Sequence, residues 1–278
     1  MNELFVMSLK AKHRSEGTIR EYTKAIENCL AYANKHETEI KPIDLELWQS
    51  SMSNLSSASV AQRTSAVREY FKFLYRNEFI SRNPAELLEA PQIKNREQSA
   101  LNGEQVRAMV NAATNERNKA IVIMLAQTGL RIHELANITL EQYESRSNNV
   151  LVIRGKGDKD RLVGLADETI ELIDSYIANE RKGGCEYLFV GNRGNKMDGK
   201  NTSAMLKVCA RKADIENWEE LHISNHTMRR TFATMMSEAD VPIEVISKAM
   251  GHSGIAITSR YVKRTEQRAV NAMSVINF

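Results

Sequence analysis

The sequence predicts a mainly α-helical chain of two domains, with one small β-hairpin in the second, an α+β arrangement in which helix dominates. Three observations predict it. Apolar residues recur at three- and four-residue steps through most of the chain, as buried helix faces require. Short β-branched runs occur only on either side of GKGDK. A polar stretch with two prolines, ahead of residue 100, has no hydrophobic periodicity and separates two helical regions. The 278 residues are long enough for two packed cores of roughly 100 to 200 residues each.

From Thr18 to Ala33, the residues Ile19, Tyr22, Ile26, Leu30 and Ala33 form one apolar stripe and predict an amphipathic helix. A shorter helix is expected after Pro42, around Asp44 to Met52. A third is expected from about Ser57 to Tyr75, with Val60, Val67, Phe71 and Leu74 along its stripe. Beside that stripe stand Arg63, Arg68, Lys72 and Arg76. Such charges suit either DNA phosphates or an ordinary solvated helix surface.

Asn83 to Ser99 contains Pro84 and Pro91 and ends in QIKNREQS. Its composition reads as a linker, so the expected division is a helical domain over 1–90, a linker over 91–100 and a second domain over 101–278. Asn102 and Gln105 have the spacing of a reciprocal helix cap, opening a helix that carries Val106, Met109 and Val110. The apolar segment Ala120 to Gln127 runs into Thr128-Gly129-Leu130-Arg131, where glycine permits a sharp bend and puts Arg131 at the start of the next helix. VLVIR (Val150 to Arg154) and DRLVGL (Asp160 to Leu165) predict a hairpin with Lys156 at its turn. From Asp167 onward the pattern is helical again, apart from a short apolar piece at Tyr187 to Val190.

Hydrophobic residues make up 42% and charged residues 26%, ordinary values for a folded protein that exclude a disordered chain. A net charge of +3 is far from the excess that would by itself announce a nucleic-acid partner, so bound DNA would require segregated positive charge. Cys29, Cys185 and Cys209 are scattered and form no CxxC pair, which argues against a disulfide framework or a zinc site and suits reduced thiols. The opening MNELFVMSLKAKHRSEG lacks the apolar stretch of a signal peptide, and no run approaches about 20 apolar residues. A cytoplasmic protein without a membrane partner is expected.

His226-Thr-Met-Arg229 opens a helical stretch, and its three-residue offset directs both polar side chains to one side of a helix N-terminus that itself favours anions. In isolation an HxxR is more often a capping histidine with a surface arginine. GKGDK lacks the GxxxxGK[ST] spacing of a phosphate loop and lies between strands, so nucleotide hydrolysis is not expected. His222 and His226 stand four apart but have neither HExxH context nor a nearby third ligand, so no metal is expected. In MGHSGIAITSRYVKR, Gly251-His252 follows an amphipathic helix and Tyr261 comes nine residues after His252.

The order Arg131, Lys156, His226, Arg229, His252, Tyr261 resembles the catalytic set of the tyrosine recombinase family, which includes phage integrases and Xer-type recombinases. TGLRIHEL is similar to the family's first arginine motif, GKGDKDR to its hairpin lysine, HTMRRTFAT to its HxxR and GHSGIAITSRY to its second histidine and nucleophile. Each motif is modest alone; together, in this order, they are specific. The resemblance covers about Leu101 to Tyr261 and, more loosely, the helical first part, which is similar to the family's core-binding domain. Arg230 is a departure, since many members carry a histidine there, but it is not one of the six catalytic positions.

The resemblance implies a site-specific recombinase that cuts DNA through a 3′-phosphotyrosyl link and rejoins it without ATP, metal or other cofactor. The chemistry suits the residues. Attack of a phenol on a phosphodiester accumulates negative charge on the non-bridging oxygens, and guanidiniums meet two oxygens at once while staying protonated. The same resemblance implies that Lys156 protonates the departing 5′ oxygen, that His226 assists proton removal from Tyr261, and that His252 adds a donor. It implies a homotetramer on double-stranded DNA, or a heterotetramer with a related recombinase. The candidate docking segment is a tail from about Thr265 to Phe278, whose Val270, Met273 and Ile276 equally suit packing on the same subunit. Two other readings use the same residues: a type IB topoisomerase-like nicking-closing enzyme, and a DNA-binding architectural protein with a silent site.

Overall fold

The computed structural model describes residues 2–92, 100–154 and 160–251. The chain forms two compact units, Met1–Arg96 and Glu97–Phe278.

The first unit is helical: α1 (Asn2–Ala11), α2 (Glu16–Ala33), α3 (Pro42–Ser50) and α4 (Ser57–Arg76). Side chains of Ser15 and Ser56 accept from the amides of Thr18 and Ser59, which starts α2 and α4 where their apolar stripes begin. The stripes close on a core of Phe5, Ile26, Cys29, Leu45, Trp48, Tyr70, Phe71 and Leu74. Polar edges of the large rings remain paired: Trp48 Nε1 donates to Asn28 Oδ1 at 3.0 Å and Tyr70 to Glu37 at 2.8 Å. α1 precedes the first helix read from the sequence. Its ten residues give only Phe5 and Leu9 as buried apolar positions, too few to establish a period.

In the second unit α5 (Gly103–Ala112), α6 (Glu116–Thr128), α7 (Ile132–Asn137) and α8 (Leu140–Glu144) precede the hairpin β1 (Val150–Arg154) and β2 (Asp160–Gly164). α9 (Asp167–Asn179), α10 (Gly199–Lys212), α11 (Asn225–Glu238) and α12 (Ile243–Met250) follow. The cap read from Asn102 and Gln105 is present, with each side chain accepting the other's backbone amide at 2.8–2.9 Å. α6 lies at the centre, against α5, α9 and α11. Its Ala120, Val122, Met124 and Leu125 are fully buried, which is why the segment is apolar nearly all round.

The hairpin is antiparallel with Val150 opposite Gly164 and Arg154 opposite Asp160. Leu151, Ile153 and Val163 turn inward, while Val152 and Leu162 form an exposed pair outside. The piece at Tyr187 to Val190 makes only isolated bridges, Tyr187 with Thr139 and Val190 with Lys196. Among the described residues no helix is long and apolar enough to cross a membrane.

Candidate active site

Three of the six expected catalytic residues, Arg131, His226 and Arg229, lie among the described residues; Lys156, His252 and Tyr261 lie outside them, as does the tail from Thr265.

Arg131 caps α7 in an extended conformation, immediately after the turn at Gly129. That glycine adopts φ 58°, and a Cβ there would stand 2.4 Å from Cδ1 of Phe232, so both the turn and the approach of α11 require a residue without a side chain. Arg229 lies one turn into α11 and is only 5% exposed. Its Nη1 donates to the Gly129 carbonyl and its Nη2 to the Met250 carbonyl. Arg131 Nη2 donates to the next carbonyl, that of Gly251, at 3.1 Å. Two arginines 98 positions apart are thus held by consecutive carbonyls at the end of α12, where the last carbonyls of a helix lack intrahelical partners and the helix dipole favours cations.

Two residues the sequence reading did not single out complete this corner. Glu134, three positions after Arg131, accepts from the Arg131 amide at 2.7 Å and from Arg131 Nη1 at 3.0 Å. Arg161, on β2, meets the same carboxylate at two points, Nη1 to Oε1 at 2.8 Å and Nη2 to Oε2 at 2.9 Å, and sends Nε to the Ala249 carbonyl at 3.1 Å. The Glu134 side chain is fully buried. Burial pushes its carboxyl up, but the Arg161 hydrogen bonds, the Arg131 amide and both guanidinium charges outweigh burial and hold it at about 2. A glutamate in the third helical position after Arg131 was visible in TGLRIHEL as a capping partner. An arginine in the inward phase of DRLVGL was likewise visible, but nothing in the sequence connected the two.

His133 also reports the local field. Burial, and the charges of Arg131, Arg229 and Arg161, depress its pKa below the ordinary imidazole value despite the neighbouring Glu134.

His226 is exposed in the first turn of α11, whereas Arg229 is buried, so the HxxR pair divides between surface and interior. The turn is set by Ser224, whose Oγ accepts from the Thr227 amide at 3.4 Å while its own amide donates to Thr227 Oγ1 at 3.2 Å. Asn225, beside His226, ties this end to α10 through Nδ2, which donates to the Gly199 carbonyl at 3.1 Å and to Ser203 Oγ at 2.9 Å.

In the first unit the expected basic set does not share one surface. At about 100° per residue, Arg68, Lys72 and Arg76 follow one exposed stripe of α4, and Arg63 projects from the opposite side. There Arg63 is half-buried, with Nη1 3.7 Å from Met52 Sδ, and lines a cleft between α2 and α4 together with Lys24, Asn28, Ser59 and Gln62. The separation is a matter of phase. Arg63 is nine positions from Lys72, which is two and a half turns. Among the described residues no group of three or more His, Cys, Asp or Glu could hold a metal ion.

Comparison with known proteins gives a consistent result. The sequence profile described as "Phage integrase family" matches residues 99–268, and that described as "Phage integrase, N-terminal SAM-like domain" matches residues 3–78. A protein named tyrosine recombinase XerD from Staphylococcus aureus is 29% identical over 266 residues, covering 90% of this chain and 88% of the relative. A crystal structure of XerA recombinase superposes with a TM-score of 0.56 at 25% identity, covering 100% of this chain and 98% of that one. A lambda integrase dimer bound to a COC′ core site is similar in fold, with a TM-score of 0.76 at 14% identity and 95% of each chain covered.

Proposed function

The chain belongs to the phage integrase family, and from that membership we propose that Tyr261 is the nucleophile of its DNA cleavage reaction, with Arg131, Arg229, His226, Lys156 and His252 around the scissile phosphate. The protein is an enzyme, a site-specific tyrosine recombinase that cuts and rejoins DNA. DNA is accordingly its substrate and partner.

One observation supports the roles proposed for the two arginines. Arg131 and Arg229 meet at successive carbonyls of the α12 terminus, with Glu134 and Arg161 fixing the first of them. Donors held before substrate arrives stabilise developing charge without reorganising during reaction. In the proposed step the Tyr261 oxygen forms a bond to phosphorus as the bond to the 5′ oxygen breaks. His226 assists removal of the phenol proton and Lys156 supplies a proton to the departing oxygen. A 3′-phosphotyrosyl link and a free 5′-hydroxyl result, and the reverse attack by a hydroxyl from another strand rejoins the DNA without ATP.

Strand exchange between two duplexes uses four such sites. The further proposal is therefore a tetramer on DNA, in which Thr265 to Phe278 docks on a neighbouring subunit. Unchanged assembly and recombination after deletion of that segment would remove the docking role. The cleavage reading is tested on a nicked suicide duplex bearing the target site, found by sequencing recombination junctions in a host that carries the gene. A covalent protein–DNA adduct is expected with the wild type and none with Tyr261→Phe. An equal yield from both proteins would refute the assignment of the nucleophile.

A further inference from the structure

We propose that Arg161 is a positioning residue for cleavage, holding Arg131 and the end of α12 in their working geometry without itself touching the DNA. This inference rests on the recombinase reading above.

Three consecutive carbonyls at the end of α12 each receive a different arginine: Ala249 from Arg161, Met250 from Arg229 and Gly251 from Arg131. Two of these arginines are proposed to hold the phosphate. The third also grips, at two points, the buried carboxylate that holds Arg131. Arg161 therefore joins β2, α7 and the α12 terminus through a single side chain. Its side chain is 11% exposed against 28% for Arg131, and three of its N–H groups are committed to protein oxygens. Of the two guanidiniums bound to Glu134, Arg131 is therefore the one more open to a ligand.

The local sequence serves this arrangement. Arg161 occupies an inward phase of β2, opposite Ile153, where the alternation would otherwise place an apolar residue. Gly251, at φ 63°, lets the arginine pass: a Cβ there would lie 3.3 Å from Arg161 Cδ and 3.6 Å from Arg131 Nη1. A planar fork matches a carboxylate at two points while a third N–H reaches a carbonyl on another element, a combination that lysine's single ammonium lacks. With Arg161 shortened, Glu134 keeps Arg131 as its partner but loses the anchor that orients both, and small misplacements of a charge-stabilising group cost rate steeply.

The alternative is that Arg161 merely neutralises Glu134 for folding. The test compares Arg161→Lys and Arg161→Met with the wild type in DNA affinity, unfolding midpoint and single-turnover cleavage of the nicked duplex. Cleavage is measured with a natural scissile phosphate and with a neutral methylphosphonate, on which charge stabilisation matters less. For Arg161→Lys the expected result is near-normal affinity and folding with cleavage slowed about ten- to a hundredfold. That defect should shrink on the methylphosphonate in parallel with that of Arg131→Ala. A defect of equal size on both substrates, or one that follows the folded fraction, would make Arg161 purely structural. Should Arg161→Met fail to fold, the lysine variant decides alone. Wild-type rates in Arg161→Lys would overturn this inference and leave the recombinase reading intact, whereas a wild-type protein that forms no adduct would remove both.

Discussion

Gly129 and Phe232 touch at a point that leaves no room for a side chain on the glycine: its missing Cβ would stand 2.4 Å from the phenylalanine ring. The contact sets the distance between the turn that presents Arg131 and the helix that carries Arg229. Gly129→Ala is expected to destabilise the protein by at least about 2 kcal/mol, from the left-handed backbone and the clash together. Chemical denaturation would measure it. In a double-mutant cycle with Phe232→Ala, the glycine substitution should cost less than in the wild type, since the ring that it strikes is gone. Simple additivity would show that the clash is not the source of the loss.

The arginines should separate binding from chemistry. Arg131→Ala is expected to leave DNA affinity largely intact while slowing cleavage at least about a hundredfold, the usual loss for one charge-stabilising donor. Arg229→Ala should do the same to cleavage and also lower stability, because it leaves the Gly129 and Met250 carbonyls without their guanidinium partner. Gel-shift titrations beside single-turnover cleavage would check both, and equal losses in the two measurements would contradict the assignment.

The Glu134 carboxyl gives the site an acid limit. Its pKa is about 2 in the folded protein against 4.5 for the free side chain, so its stabilising contribution is complete above about pH 4.5 and disappears as pH falls toward 2. Glu134→Gln should therefore be less stable than the wild type by a constant margin between pH 7 and 5. The margin should narrow below about pH 4.5. Unfolding midpoints across that range would show it, and a margin that grows on acidification would reverse the sign of the argument.

The two sides of α4 should differ in salt dependence. Each phosphate contact contributes about 0.9 to the slope of log affinity against log salt. Removal of Arg68, Lys72 and Arg76 together is expected to lower that slope by about 2 to 3, and Arg63→Ala alone by about 1. Fluorescence anisotropy at several salt concentrations would resolve the two. A side of the helix whose removal leaves the slope unchanged is not at the DNA.

Much of the architecture was legible because local patterns carry it. The Asn102–Gln105 cap, three- and four-residue apolar steps and alternating β-branched runs act over neighbouring positions, and α2, α4, α5 and the hairpin follow them closely, while α3 begins and ends two residues before the expected range. The Gly129 turn was legible too, although its second reason, the approach of Phe232 from more than a hundred positions away, was not. The phases of α4 were written in the sequence but needed the helix to be placed before Arg63 parted from Lys72.

The sequence by itself determined which chemical groups are present, in which order, and on which kind of element each begins. Tertiary structure decided which of them meet. Arg131, Glu134, Arg161 and Arg229 come from three different elements, and only the packing of α11 and α12 against the Gly129 turn brings four charged side chains to one helix end. The physical reason is that hydrogen bonds and charge pairing act over a few ångströms of space and are blind to distance along the chain. A buried glutamate and a third arginine therefore became part of the site when the fold closed.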